Sequence, residues 1–224
     1  MKIVALLGSP HGLKGNTARL LKIVLEGAKK EGARTETIVV DWKKVGPCLA
    51  CDACHVKGRC PQKDDFEAIK EKIMAADALI MATPNYIDQV SAQLKAFIDR
   101  CCGVVHCMGF EGRYGAAVVT SGGGNEKPIA EAMNYFLIRT GIRPVGEVWA
   151  TMMDVGEQDF PEDITNQALT LGKNIVAAAK NKIKTNKVER RMRAFRKRMQ
   201  SLIMCRKDEW PYEYQYWRKK RSLK

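Results

Sequence analysis

The stretch Lys2–Gly32, KIVALLGSPHGLKGNTARLLKIVLEGAKKEG, decides how the rest of the chain is read. It opens on a short apolar run, Lys2–Leu7, that halts at Gly8-Ser9-Pro10. From Thr17 to Lys30 the apolar residues Leu20, Leu21, Ile23, Val24, Leu25 and Ala28 recur at helical spacing, and Gly32 supplies a stop. A strand, a glycine-rich turn and a helix is the opening of an alternating α/β chain.

The alternation continues. Thr35–Val40 reads as a second strand, Lys43–Lys63 as an irregular loop, and Asp64 or Asp65 as the cap of a helix reaching about Ala76. Ala78–Thr83 is a third strand ending at Pro84, Ala92–Cys102 a helix, and Gly115–Thr120 a fourth strand. Glu126–Gly141 is a helix, Val145–Ala150 a fifth strand, and Asp163–Lys182 a closing helix. The strands are nearly continuous apolar runs, as burial on both faces demands. Right-handed crossovers then predict a doubly wound parallel sheet, and five strands favour the flavodoxin-like order 2-1-3-4-5.

The chain has 224 residues, 46% hydrophobic and 28% charged, which suits one domain and an appendage. No run approaches the roughly eighteen apolar residues of a membrane span, and the N-terminal run is too short for a signal-peptide core. The formal net charge of +13 is unevenly placed. Residues 180–224 hold 17 Lys/Arg against 4 Asp/Glu, which leaves residues 1–179 neutral. Pooled charge therefore does not make the whole chain a nucleic-acid binder. We divide it into a sheet domain, residues 1–183, carrying the cysteine-rich loop 43–63, and a basic, aromatic-containing extension, residues 184–224. Eight cysteines without a secretory signal point to a reducing, cytoplasmic setting rather than a disulfide framework.

In such sheets ligands sit beyond the carboxyl ends of the strands. Three loops fall there. The first is Gly8-Ser9-Pro10-His11-Gly12-Leu13-Lys14-Gly15-Asn16-Thr17, where glycines turn N–H groups inward, a helix N-terminus favours an anion, and Ser9, Asn16 and Thr17 add neutral donors. It matches neither the Walker nor the dinucleotide spacing. The second, Thr83-Pro84-Asn85-Tyr86-Ile87-Asp88, offers a backbone edge and an aromatic to a flat ring. The third, Thr120-Ser121-Gly122-Gly123-Gly124-Asn125-Glu126, lets the backbone approach a ligand closely. Each alone also reads as an ordinary turn; together they line one rim.

GSPHGLKGNT, ATPNYIDQVSAQLKAFIDR and TSGGGNE resemble the three flavin-binding segments of the NADPH-dependent FMN reductase-like flavoproteins. The resemblance covers roughly residues 1–180 and implies FMN. Its phosphate would lie at Ser9, Gly15, Asn16 and Thr17, and its ring between Pro84-Asn85-Tyr86-Ile87 and Thr120-Ser121-Gly122-Gly123-Gly124. His11 stands where the family often has Arg.

The string PCLACDACHVKGRCP carries Cys48, Cys51, Cys54 and Cys60. Four thiols in so short a segment suit a [4Fe–4S] cluster, and bacterial ferredoxins begin with a similar spacing. Zinc, which usually takes two separated pairs of ligands, and simple buried thiols are the other readings. The spacing and its place after the second strand resemble the iron–sulfur flavoprotein branch of the same superfamily. That resemblance implies Cys48, Cys51, Cys54 and Cys60 as cluster ligands. It also implies a homodimer or homotetramer in which a cluster approaches a neighbour's flavin. The implied function is electron transfer between ferredoxin or NAD(P)H and an acceptor. The alternative is an NAD(P)H-dependent FMN or quinone reductase without a cluster. No general acid or base triad is expected, because the cofactors carry the chemistry.

Cys101, Cys102 and Cys107 with His106 could form a second metal site but read better as a packed helix end, His55 as a solvent-side residue, and Cys205 as a plain thiol. In Lys187–Cys205, Val188, Met192, Phe195, Met199, Leu202 and Ile203 form a stripe opposite Arg and Lys, an amphipathic helix expected to pack on the domain or another subunit. The aromatic run WPYEYQYW (210–217) and RKKRSLK (218–224) suit a nucleic acid, an anionic membrane surface or an acidic electron carrier equally.

Overall fold

The computed structural model describes residues 1–41, 43–155 and 159–221; the last three residues of the basic run lie outside the described residues. The elements are β1 (Lys2–Leu7), α1 (Asn16–Lys30), β2 (Arg34–Val39), α2 (Ala53–Lys57), α3 (Phe66–Met74), β3 (Ala78–Tyr86), β4 (Gln89–Val90), α4 (Ala92–Arg100), α5 (Cys102–Cys107), β5 (Tyr114–Ser121), α6 (Glu126–Thr140), β6 (Arg143–Thr151), α7 (Met152–Val155), α8 (Glu162–Lys180), α9 (Asn186–Cys205) and α10 (Pro211–Arg221).

The parallel path is β2-β1-β3-β5-β6, the flavodoxin-like order expected, with β4 folding back antiparallel on the end of β3. Alternate residues of each strand feed opposite cores. Ile3, Ala5 and Leu7 face α1 and α8, with Ile80, Ala82, Ala116 and Val118 from β3 and β5. Val4, Leu6, Leu79, Met81, Ala117 and Val119 face α3, α4 and α6. Two buried faces explain why the strands lack polar alternation. The order reverses at β1 and β3, so the loops after these strands part and open a crevice.

Several elements differ from the sequence reading. Pro84 lies inside β3, paired with Thr120, because a parallel partner on that side does not need its missing N–H. The predicted helix Ala92–Cys102 breaks at Cys101 into α4 and α5. The loop 43–63 is not wholly irregular, since it contains α2. Of the two caps expected for the third helix, Asp64 is the one whose side chain holds the start of α3, its Oδ1 accepting from the Phe66 N–H at 3.2 Å.

The extension packs on the domain through its apolar stripe. Met192, Phe195, Met199 and Ile203 join Met108, Ile138 and Trp217 in a third core, while the Arg/Lys face stays in solvent. Trp217 is buried, and its Nε1–H donates to the carbonyl of His106 at 3.1 Å. Arg143 pairs with Glu189 at 2.7 Å, and Arg196 with Glu111. No helix among the described residues is long and apolar enough to cross a membrane.

Helices α1 and α8 cross at backbone contact through two glycines. A Cβ at Gly27 would strike the Leu169 carbonyl, and one at Gly172 would strike the Val24 carbonyl and sit 2.7 Å from the Ala28 nitrogen. Gly172→Ala is therefore expected to destabilise the fold by about 2 kcal/mol. Thermal unfolding followed by circular dichroism should show a midpoint lower by roughly 4–8 °C.

Candidate functional site

The rim is built from the three glycine-bearing loops. After β1 the backbone turns at Gly12 (φ +54°) and enters α1 with Gly15 at the cap position, so no side chain caps the helix. The first N–H groups of α1 are left for an external acceptor. Gly15 is required there, since a Cβ would lie 2.9 Å from His11 Cβ and 3.1 Å from Ser9 Oγ. Ser9 is buried, and its Oγ accepts from the His11 N–H at 3.3 Å. The His11 and Asn16 side chains are exposed, and Asn16 Oδ1 accepts from Arg19 at 3.0 Å. Thr17 points inward, its hydroxyl 2.7 Å from that of Thr120, so these two hydroxyls tie the first loop to the third.

The second loop projects. Ile87 is 96% exposed and Tyr86 44%, on a turn whose Ile87 and Asp88 both have left-handed φ (51° and 58°). Asn85 Nδ2 donates to the Gly124 carbonyl at 2.9 Å, while its Oδ1 is buried and has no partner. Leaving a buried amide oxygen unpaired costs about 1–3 kcal/mol, so this atom is an acceptor awaiting a donor. Asn125 Nδ2 donates to Asp88 Oδ1 at 2.6 Å and joins the second loop to the third. Around Gly122, Gly123 and Gly124 an added Cβ would meet nothing within 4 Å, so the third loop leaves open space beside its backbone.

Buried side chains brace the rim, and of these Ser91 carries no local signal in the sequence. Buried Glu126 accepts from the Ser121 hydroxyl and from Thr151 Oγ1 (2.7 Å), and Ser121 Oγ accepts from the Gly124 N–H at 2.7 Å. Ser121 is thereby engaged within the loop. Ser91, buried at the start of α4, donates to the Gly8 carbonyl, accepts from the Leu94 N–H at 3.2 Å and fixes the first loop against α4.

The cysteine loop leaves the carboxyl end of β2, beside the first loop. Left-handed residues Ala50, Asp52 and Gly58 fold it into turns. Among the described residues no disulfide joins any cysteine. Cys48 and Cys51 are exposed, Cys54 and Cys60 half-buried. Cys54 and Cys60 line a cavity of about 260 Å³ closed by Tyr212 and Tyr216 of α10. Arg100, its side chain 1% exposed, donates to Cys60 Sγ at 3.1 Å, to the Gly46 carbonyl at 3.3 Å and to Asp64, and stacks 4.5 Å over Phe66. Gln62 Nε2 spans the same ends, reaching the Pro47 carbonyl at 3.1 Å. Burial would raise the pKa of Asp64, but Arg100 and the N–H groups of Gly46 and Phe66 outweigh it and hold the carboxyl below its ordinary value.

His55 is buried, contrary to the solvent-side reading. Glu213, 158 residues away on α10, takes its Nδ1 at 2.6 Å, and Trp210 stacks on the ring at 4.6 Å. Hydrogen bonds from Cys102, Cys54 and Glu213 push His55 up to about 12. Burial works against protonation of His106, yet Cys102 and Glu213 raise it to about 9. His106 and His55 lower the Cys102 thiol to about 6. Only Cys101 and Cys107 of that group behave as the packed helix end expected, both buried.

The family model for NADPH-dependent FMN reductase matches residues 1–155. An iron–sulfur flavoprotein of Archaeoglobus fulgidus is 31% identical over 221 residues, covering 98% of this chain and 99% of its own. A second from that organism is 36% identical over 200 residues, 80% of this chain and 96% of its own. A solved flavone reductase superposes with a TM-score of 0.63 at 17% identity over 81% of this chain and 64% of that one. The first relative matches into the C-terminal helices, so the extension is not outside the likeness as the sequence reading had it.

Asp64 and Arg100 give a prediction with a sign. A carboxyl whose pKa is lowered on folding stabilises above its unfolded pKa, and that stabilisation is lost as pH falls through the folded value. Asp64→Asn should lose about 3 kcal/mol at pH 7. In urea unfolding the gap to wild type should narrow below about pH 4.

Proposed function

We propose a function for a chain that belongs to the NADPH-dependent FMN reductase family, in its iron–sulfur flavoprotein branch: electron transfer with FMN at the carboxyl rim and a [4Fe–4S] cluster on Cys48, Cys51, Cys54 and Cys60. That it is a flavin-dependent oxidoreductase follows from the family. The observation that carries the finer reading is the placement of four thiols on the loop after β2, next to the uncapped helix start and open glycine rim after β1.

The donors of the rim suit FMN, and the four thiols have the chemistry that a cluster needs, although among the described residues their sulfurs are not drawn into one set of ligand atoms. The start of α1, with Ser9 and Asn16, offers donors to a phosphate; Thr17 offers its N–H while its hydroxyl holds Thr120. Asn85 Oδ1 would accept from a ring imide N–H, and the space beside Gly122–Gly124 admits a flat ring. Cys48 and Cys51 come from the outer turns and Cys54 and Cys60 from the cavity wall. Arg100 adds a cation and an N–H···S bond at Cys60, which would raise the potential of a group held there. FMN supplies hydride or single-electron exchange and the cluster single-electron exchange. The exposed second loop leaves a face for a nicotinamide to stack on, so NAD(P)H or a ferredoxin serves as donor. A dimer or tetramer would bring one subunit's cysteine loop to another's rim, and the solvated cations of α9 would steer an acidic carrier toward it. The same open rim with no iron would be the quinone reductase reading.

Oxygen-free protein should contain about one FMN and about four irons per chain. Flavin without iron would select the quinone reductase, and protein lacking both would overturn the proposal. Cys54→Ala should lose its iron and keep FMN. Asn16→Ala should weaken FMN binding about tenfold, the loss of roughly one hydrogen bond to a charged group, as read by flavin fluorescence titration.

A further inference from the structure

We propose that His55, Cys102 and His106 form a second, mononuclear site for a zinc-class divalent ion, separate from the four cysteines of the loop. Cys102 and His106 are four residues apart on α5, one face of one helical turn. His55 comes from α2, and the ligand atoms of all three lie within 4.8 Å of one another. Cys102 Sγ is 3.8 Å from His106 Nε2. Sulfur and nitrogen at bond lengths of about 2.3 and 2.1 Å around a tetrahedral ion stand about 3.6 Å apart, so the Cys102–His106 pair is within a few tenths of an ångström of ligating geometry and His55 would close onto it.

The surroundings of the two imidazoles are those of metal ligands. Glu213, fully buried, takes His55 Nδ1 on one carboxylate oxygen at 2.6 Å and His106 Nδ1 on the other at 3.0 Å. One carboxylate thus holds Nδ1 of both rings, so Nε2, on giving up its proton as an ion enters, is the nitrogen left to ligate. A carboxylate behind each ligating histidine is the usual outer shell of a zinc site. Trp210 stacks on His55 at 4.6 Å, lies tilted against His106 at 4.9 Å, and covers the pair. Asp52 Oδ1 lies 3.7 Å from His55 Nε2 but outside this group of three, so a water would take the fourth position. His55 directly follows Cys54 in the chain, so the two metal centres would be neighbours. The ion would fasten α2 to α5 and, through Glu213, α10 to both.

The test uses the full chain, prepared without oxygen, incubated with zinc sulfate and dialysed, and read by metal analysis and zinc-edge X-ray absorption. Wild type should retain about one zinc per chain, with two nitrogens at about 2.0–2.1 Å and one sulfur at about 2.3 Å. Cys102→Ser and His106→Gln should each lower zinc retention at least tenfold while FMN and iron stay. The pair Cys48→Ser/Cys51→Ser should lose iron and keep zinc, which separates this site from the cluster reading. Bound FMN and circular dichroism report folding of each variant, and if Cys102→Ser does not fold, the wild-type ligand set decides. Zinc absent from wild type, zinc ligated by four sulfurs, or zinc lost with Cys48→Ser/Cys51→Ser but retained in folded Cys102→Ser would overturn the proposal.

Discussion

The loop after β2 must cross from the sheet to α3 without a core of its own, and what fixes it is a buried cation. Arg100, on the last turn of α4, is almost wholly removed from water. An unpaired guanidinium there would be costly, so the loop wraps around it: the Gly46 carbonyl from the entry, Asp64 from the exit, Cys60 from the middle. Phe66 forms the floor. Because α4 also carries Ser91 at its other end, bonded to the carbonyl of Gly8, one rigid helix positions the cysteine loop and the first rim loop together. Anything bound at the two places inherits its spacing from α4.

The sheet was legible because its signals are local. Lys2–Leu7 and Ala78–Ala82 are apolar without interruption, and the helix periods beside them are clean, so order and handedness follow from general rules. Pro84 misled because proline is read as an end, whereas its lack of an N–H matters only when a neighbour needs that donor. The break at Cys101 was invisible, since Cys-Cys-Gly does not interrupt an apolar helical pattern and the kink is imposed by packing.

The site divides in the same way. Glycine runs and cysteine spacings are written in consecutive residues. The ties that make them a site span long separations: Thr17 with Thr120, Asn85 with Gly124, Asn125 with Asp88. A lone His55 beside Cys54 gives no hint of burial, because what buries it is Trp210 and Glu213 on a helix whose sequence reads as basic and aromatic. The charge of that extension drew attention to its surface; its acid and its Trp217 face inward and close the cysteine side of the domain.

The 158-residue separation of His55 from Glu213 has a bearing on biosynthesis. At translation rates of about 5–20 residues per second, roughly 8–30 s pass between the making of one partner and the other. Throughout that interval the thiols from Cys48 to Cys60 already exist, while the tyrosines and carboxylate that will roof them have yet to leave the ribosome. Delivery of inorganic sulfur and iron to a nascent chain would find that pocket still roofless, and so would an oxidant.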